Sequence, residues 1–289
     1  ITPTYNRADF IAETVESVLA QSFGDFELLV VDDGSTDNTQ EVMQRYLADP
    51  RVRFFEQENQ GQSGARNTAM AQARGDFICF LDSDNTWVPD KLERQLAIME
   101  THPQEDIVYG DFITINEEGQ EISRDNMRRH SGNIAAKLLK DNFVSINTAM
   151  VRRHCLDEMG GFEETERHAT DYDLWLRYAA KYRFYYLPAY LTCYRIMENQ
   201  LSSDKTNRLR SNRKALENFL KRYPEAVSWP ERLQGWAAFY ARKARYEASV
   251  GQTGKALLDA LRSIFHWPLG SMGWRALFRS VFPGNQSAA

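Results

Sequence analysis

The chain has 289 residues, 43% hydrophobic and 12% aromatic, enough apolar material for a sizeable core in about two domains, which excludes a disordered chain. Its net charge of −5 is divided unevenly, with 20 Lys and Arg against 35 Asp and Glu in residues 1–204 but 15 against 5 in residues 205–289. The acidic majority argues against a nucleic-acid binder, and the split predicts two domains, 1–204 and 205–289, with different partners.

Ile1-Thr2-Pro3-Thr4 reads as the tail of a strand whose beginning is expected upstream, where a leader would be hidden. Leu28 to Val31 is a continuous apolar run, as in a strand covered on both faces. It ends in Asp32 and Asp33. Asp37, with Gln40 three residues on, predicts the start of a helix over 41–47. Val52 to Phe55 is the next strand, and Ala65 to Ala73 a helix. Phe77 to Leu81 is a third strand, ending in Asp82-Ser83-Asp84. Pro89-Asp90 opens a helix with Leu92, Leu96 and Met99 on one face. This alternation predicts a mainly parallel, doubly wound sheet, with ligands beyond the carboxyl ends of its strands.

After that the pattern changes. Strands are expected over 107–115 and 143–152, a turn at 116–119, a helix over 171–182 and an extended segment over 184–194. From about Lys205 the chain reads as helices punctuated by Pro and Gly. No run approaches the roughly eighteen apolar residues of a membrane span. Cys79, Cys155 and Cys193 are far apart and show no metal-ligand spacing. They read as small buried apolar residues in a reducing compartment.

Asp82 and Asp84 lie at i and i+2, so in an extended segment they face one ligand together. Two close carboxylates repel unless a cation joins them, and a hard divalent ion completed by substrate phosphates is a natural partner. The plainer alternative makes one a helix cap and leaves the other solvated. Asp32 and Asp33 sit on the same rim, suited to a base or ribose or to turn formation. Tyr5 is suited to stacking on a base and Arg7 to meeting phosphate, or else to packing on the sheet edge and facing water. Thr170-Asp171-Tyr172-Asp173 has the form of a capping box, leaving Asp171 in the first helical turn, where the helix dipole favours its ionised form.

PTYNR, VVDDGSTDNT and GQSGARNTAMAQARGDFICFLDSDNTWVPDKLERQ, in this order, resemble the inverting family-2 glycosyltransferases of the GT-A fold. MVRRHCLDEMGGFEE and TDYDLWLR are similar to further blocks of that family, so the resemblance spans about residues 1–202. It implies a Rossmann-like α/β mixed sheet flanked by helices, here with a C-terminal helical extension. It also implies a nucleotide-diphosphate sugar donor, UDP-sugar being the default, and Mg²⁺ or Mn²⁺ at the D-x-D motif. Pro3, Thr4, Tyr5, Arg7, Asp32, Asp33, Arg66, Asp82 and Ser83 fall at donor-binding positions. Asp84 falls at the direct metal ligand, with Asp82 beside it, and Asp171 at the general base. The implied acceptor is a glycan or lipid-linked hydroxyl in surface-polysaccharide synthesis on the cytoplasmic side.

Two departures stand out. Thr170 replaces the Glu that often precedes the base. CYRIMENQLS carries Met197 where the family often has a His near the diphosphate, although Tyr194, Arg195, Gln200 and Ser202 remain. Arg195 is therefore expected to take more of the leaving-group role. Two alternatives stay open: a sugar-nucleotide-binding protein with impaired catalysis, and a sugar nucleotidyltransferase, which the sequence after the first strand disfavours. The basic tail holds Trp229, Trp236, Trp267 and Trp274. Over 255–282 it mixes Leu257, Leu258, Leu261, Ile264, Phe265, Leu277, Phe278 and Phe282 with Lys255, Arg262, Arg275 and Arg279. Such a segment suits either packing on the catalytic domain or peripheral contact with the inner face of a membrane.

Overall fold

The computed structural model describes residues 1–197, 200 and 203–281. They form two compact units, one of residues 1–133 with 143–203, the other of residues 134–142 with the chain from Asp204 onwards.

The first unit opens with β1 (Thr2–Thr4), α1 (Ile11–Leu19), β2 (Leu28–Asp32), α2 (Thr39–Gln44), β3 (Val52–Glu56) and α3 (Gly61–Gln72). β1, β2 and β3 are parallel, with Thr4 opposite Asp32 and Asp32 opposite Glu56. All five residues of β2 are buried, which is why its run is continuously apolar rather than alternating. α1 buries Ile11, Val15 and Val18, one helical face at the spacing a core contact needs.

The chain continues through β4 (Phe77–Cys79), β5 (Thr86–Trp87), α4 (Lys91–Thr101), β6 (Ile107–Ile115), β7 (Glu121–Arg124), α5 (Ala135–Leu138), β8 (Met150–Arg152), α6 (Arg153–Met159), α7 (Thr170–Ala179) and β9 (Phe184–Arg195). The second sheet has the order β4-β8-β6-β9-β5, with β7 beside β6. Ile1 stitches the sheets together: its amino group donates to the Cys79 carbonyl at 2.9 Å and its carbonyl accepts from the Leu81 N–H at 3.0 Å. The carboxyl ends of β1, β2 and β4 therefore share one rim, over a core that includes Ile11, Val30, Leu81, Val108 and Met150.

The architecture is a mixed α/β sheet flanked by helices. The parallel order expected from the alternation holds for β1–β3. In the second sheet only β6 and β9 run parallel, and the other pairs are antiparallel. The strand expected over 143–152 shortens to β8, because Ile146–Thr148 form a 3-10 turn. α2 begins at Thr39, and Asp37 does not pair with Gln40. The Asp37 carboxylate instead accepts from the backbone N–H groups of Thr39 at 3.0 Å and Ala8 at 3.1 Å.

The second unit contains α5, α8 (Lys205–Arg222), α9 (Trp229–Ser249), α10 (Thr253–His266) and α11 (Ser271–Val281). Asp204 caps α8 by accepting from the Asn207 N–H at 3.0 Å. Ser228 and Glu231 form a capping box at α9, with Pro230 in its first turn. α9, α10 and α11 pack around Ala241, Ala244, Ala260 and Ala276. Among the described residues no helix is long and apolar enough to cross a membrane.

Candidate active site

The rim is built from three loops. The first follows β1. Tyr5 is 46% exposed there, so an aromatic face is open to a ligand. Asn6 adopts φ +50°, a left-handed conformation that Asn tolerates. Its N–H donates to Ser35 Oγ at 2.8 Å and its Oδ1 accepts from the Thr36 N–H at 2.8 Å. This ties the first loop to the turn after β2. Pro3 and Thr4 are buried in β1, and the Thr4 hydroxyl has no hydrogen-bond partner among the described residues.

The second loop follows β2. Asp32 is fully buried. One carboxylate oxygen accepts from the Ser35 N–H and hydroxyl, the other from Gln40 Nε2 at 2.9 Å. Asp32 therefore shapes the turn. Asp33 Oδ1 accepts from Gln57 Nε2 at 2.7 Å and the Gln60 N–H at 2.8 Å, and Oδ2 from the Gly61 N–H at 2.7 Å. The carboxylate thus meets the start of α3, where peptide N–H groups lack helical partners.

The third loop carries Asp82-Ser83-Asp84. Arg66, on α3 and almost wholly buried, donates from Nη2 to Asp82 Oδ1 at 2.5 Å, and its guanidinium lies 5.0 Å from the Phe162 ring centre. Asn147 holds the other side: its Oδ1 accepts from the Asp82 N–H at 2.7 Å and its Nδ2 donates to Asp82 Oδ2 at 3.0 Å. Ser83 is buried between the two carboxylates in sequence. Asp84 has a weaker cationic partner, Arg7, whose Nε is 3.4 Å from Oδ2. Burial, and then the neighbouring Asp82 charge, push the Asp84 carboxyl up to about 6 against the pull of Arg7.

Arg195 lies beneath this loop and is 1% exposed. Its Nε donates to the Asp84 carbonyl at 3.0 Å, its Nη1 to the carbonyls of Asn116 and Glu117 at 3.1 and 2.6 Å, and its Nη2 to Glu13. Arg195, expected near the leaving group, is held here by groups of the protein itself. Four of its N–H groups are engaged within the protein, so it braces the Asp84 backbone. Met197 follows β9 half-buried. Gln200 Nε2 donates to the Arg195 carbonyl, and Ser202 lies outside the described residues.

Asp171 is half-buried in the first turn of α7. Hydrogen bonds bring that turn towards the start of α3: Gln62 Nε2 donates to the Arg167 carbonyl at 3.3 Å, and Asn67 pairs with both the N–H and the carbonyl of Phe162. The preceding glycines have separate reasons. Gly160 ends α6 at φ +73°, and a Cβ on Gly161 would lie 2.3 Å from Asn67 Oδ1. The predicted capping box is absent. Ala169, at φ +54°, precedes the helix, so Thr170 is already helical, and the Asp173 carboxylate pairs with Arg177 Nε at 2.8 Å.

A second cluster of ligand-type groups, Asp106, His154 and Cys155, has its donor atoms within 4.8 Å of one another. It sits at the other end of β4, since Arg152 pairs with Phe77 and the Arg153 N–H donates to the Asp76 carbonyl. Burial pushes the Cys155 thiol up, and His154 Nε2 lies 3.0 Å from Asp106. This group is separate from the Asp82–Asp84 rim.

Sequence reasoning missed Asn147, Asn6 and Glu13. Asn6 stood between Tyr5 and Arg7 in a quoted motif, whereas Asn147 lay in a segment read as strand and carried no signal.

Known proteins share this architecture. Staphylococcus aureus TarS 1–349, solved with UDP-GlcNAc, superposes with a TM-score of 0.64 at 19% identity, covering 96% of this chain and 88% of that one. The mannosyltransferase PcManGT of Pyrobaculum calidifontis, solved with GDP-Man and Mn²⁺, gives 0.59 at 20% identity, covering 98% and 86%. An uncharacterized glycosyltransferase of Rickettsia felis is 35% identical over 183 residues, which are 63% of this chain but only 30% of that protein's length. WfgD of Escherichia coli, a UDP-Glc:alpha-D-GlcNAc-diphosphoundecaprenol beta-1,3-glucosyltransferase, is 32% identical over 76% of this chain and 85% of its own. Residues 1–160 match the profile of glycosyl transferase family 2, and the chain belongs to that family, with its GT-A type of fold.

Proposed function

We propose that the chain catalyses metal-dependent, inverting transfer of a sugar from a nucleotide-diphosphate sugar, UDP-sugar being the default, to a hydroxyl acceptor in surface-polysaccharide synthesis. The observation that carries this reading is the Asp82–Asp84 pair. Asp82 is already gripped by Arg66 and Asn147. Asp84 is half-buried against a like charge and raised to about 6. A hard divalent cation relieves that repulsion, and an all-oxygen donor set suits Mg²⁺ or Mn²⁺. Asp84 would be the direct ligand, with Asp82 beside it. When bound, the ion offsets charge on the departing diphosphate.

The chain's own groups do the rest. Tyr5 offers its ring to the base, Asp33 accepts from it, and Arg7 lies beside Asp84 where phosphate would approach. The buried hydroxyls of Thr4 and Ser63, without partners among the described residues, are orphans of the kind a bound ligand can complete. Asp171 takes the proton from the acceptor hydroxyl. That oxygen attacks the anomeric carbon as its bond to the diphosphate breaks, and a single displacement inverts the centre. Asp173 is the weaker candidate for the base because Arg177 holds its carboxylate. WfgD, by its name, acts on a diphosphoundecaprenol-linked sugar. A similar carrier would bring this chain to the cytoplasmic face of a membrane, where the basic C-terminal helices would rest.

The test is turnover of UDP-Glc, UDP-GlcNAc and GDP-Man with Mn²⁺, with Mg²⁺ and with EDTA. Metal-requiring turnover of one donor, abolished in Asp84→Ala with the fold retained, is expected. Turnover undiminished in EDTA overturns the metal role.

A further inference from the structure

Helices α10 and α11 wear several of their largest apolar side chains on the outside. Their buried faces carry small or polar residues: Ala256, Asp259, Ala260 and Ser263 on α10, and Gly273, Ala276 and Ser280 on α11. Small residues let the helices approach closely. A Cβ on Gly273 would lie 2.8 Å from Ser263 Oγ, and that hydroxyl donates to the Ala237 carbonyl of α9 at 2.7 Å. Leu257, Ile264 and Leu277 are half-buried, but the other bulky residues point away. Leu258, Leu261 and Phe265 follow one another at i, i+3 and i+7 along α10, and Trp274 and Phe278 lie one turn apart on α11. Phe265 is 86% exposed and Leu269, between the helices, 88%. A helix pair stabilised by core packing would have the opposite arrangement.

Charge chooses the occupant. Lys255, Arg262, Arg275 and Arg279 are all exposed on the same two helices. The single carboxylate between Thr253 and Val281 is Asp259, which is buried and held by Lys243 at 2.6 Å and Arg262 at 2.8 Å. A two-fold contact with a second copy would set these cations against themselves, because an isologous interface pairs a patch with its own image. An anionic lipid surface meets both features, since interfacial helices sink an apolar face to the acyl boundary while Lys and Arg remain at the headgroups. We infer that the outward face of α10 and α11, centred on Phe265 and Leu269, docks this chain in the plane of an anionic membrane leaflet. The docking deepens the reading of a lipid-carried acceptor but rests on the helices alone, and it does not require the transfer reaction.

The experiment is vesicle cosedimentation of the whole chain, with vesicles of phosphatidylcholine alone and of phosphatidylcholine with phosphatidylglycerol. Mn²⁺-dependent UDP binding is measured in parallel, so that failure of the nucleotide site and failure of the docking face are seen separately. The chain is expected to bind the anionic vesicles at low salt and to be released as salt rises. F265S combined with L269S, both changes at exposed positions, should raise the lipid concentration for half-binding at least about tenfold. R275E combined with R279E should remove the preference for phosphatidylglycerol, and UDP binding should not change in either variant. No vesicle binding by the unaltered chain overturns the inference. So does binding that both double variants leave intact, or a change from dimer to monomer in the apolar variant with vesicle binding unaltered.

Discussion

Asn147 holds Asp82 at two points, accepting from its backbone N–H at 2.7 Å and donating to its carboxylate at 3.0 Å. Its own backbone carbonyl accepts from the Trp87 indole and the Thr192 hydroxyl, both at 2.9 Å. The clamp is therefore anchored to β5 and β9. Asn147→Ala leaves both Asp82 contacts unmade. The expected cost is about 1–3 kcal/mol of stability, with Mn²⁺ affinity falling roughly tenfold, as for the loss of a group that orients a metal ligand. Denaturant unfolding and Mn²⁺ titration check this. Unchanged metal affinity would mean that Arg66 suffices to hold Asp82.

Asp84 predicts opposite effects on stability and metal binding. Its carboxyl is raised in the folded chain from the usual 3.8 to about 6. The folded state thus binds the proton more tightly than the unfolded state does. That contribution to stability is fully present below about 3.8 and is lost as pH rises through about 6. Asp84→Asn is expected to stabilise the metal-free protein near pH 7 by about 1–3 kcal/mol and to abolish Mn²⁺ binding. In the unaltered chain, Mn²⁺ affinity should fall as pH drops below about 6, because proton and metal compete. Calorimetric titration at several pH values reads this directly, and a pH-independent affinity would count against it.

Asp171→Asn keeps the size of the side chain and removes its basicity. Turnover is expected to fall on the order of a hundred- to ten-thousand-fold, with donor affinity nearly unchanged. Steady-state kinetics alongside nucleotide titration separate the two quantities. A variant retaining most of its turnover would move the base to another residue.

Arg195→Lys distinguishes a brace from a phosphate contact. A lysine cannot span the carbonyls of Asp84, Asn116 and Glu117 together with Glu13. The expected loss is about 2–4 kcal/mol of stability, with metal-free UDP affinity unchanged. A drop in UDP affinity with stability intact would place the side chain on the diphosphate.

The carboxylate rim was legible because each strand announced its end. Leu28–Val31 stopped at Asp32, and Phe77–Leu81 stopped at Asp82, although β4 itself ends at Cys79. β6 was legible from end to end, with turn residues 116–119 after it. The mixed pairing of the second sheet was not, since partners such as Phe77 and Arg152 are far apart in sequence and no local pattern encodes their direction. The Thr170 capping box failed for a local reason, the left-handed Ala169 before it, which no propensity favours. The bracing contacts of Arg195 were not legible because a sequence shows a guanidinium but not the carbonyls that surround it. The second unit was legible as helices, but its buried small faces and exposed large ones emerge only from packing.

The Arg195 brace bears on the order in which the protein is made. It reaches Glu13 across 182 positions and the Asp84 carbonyl across 111. A chain emerging from the ribosome presents the Asp82–Asp84 loop long before its last strand exists. Contacts this distant must close long loops before they repay the cost, which slows their formation. Until β9 is laid down, the loop lacks its floor, and a nascent or truncated chain ending before residue 195 would carry the Asp82–Asp84 motif without the shape it has in the folded protein.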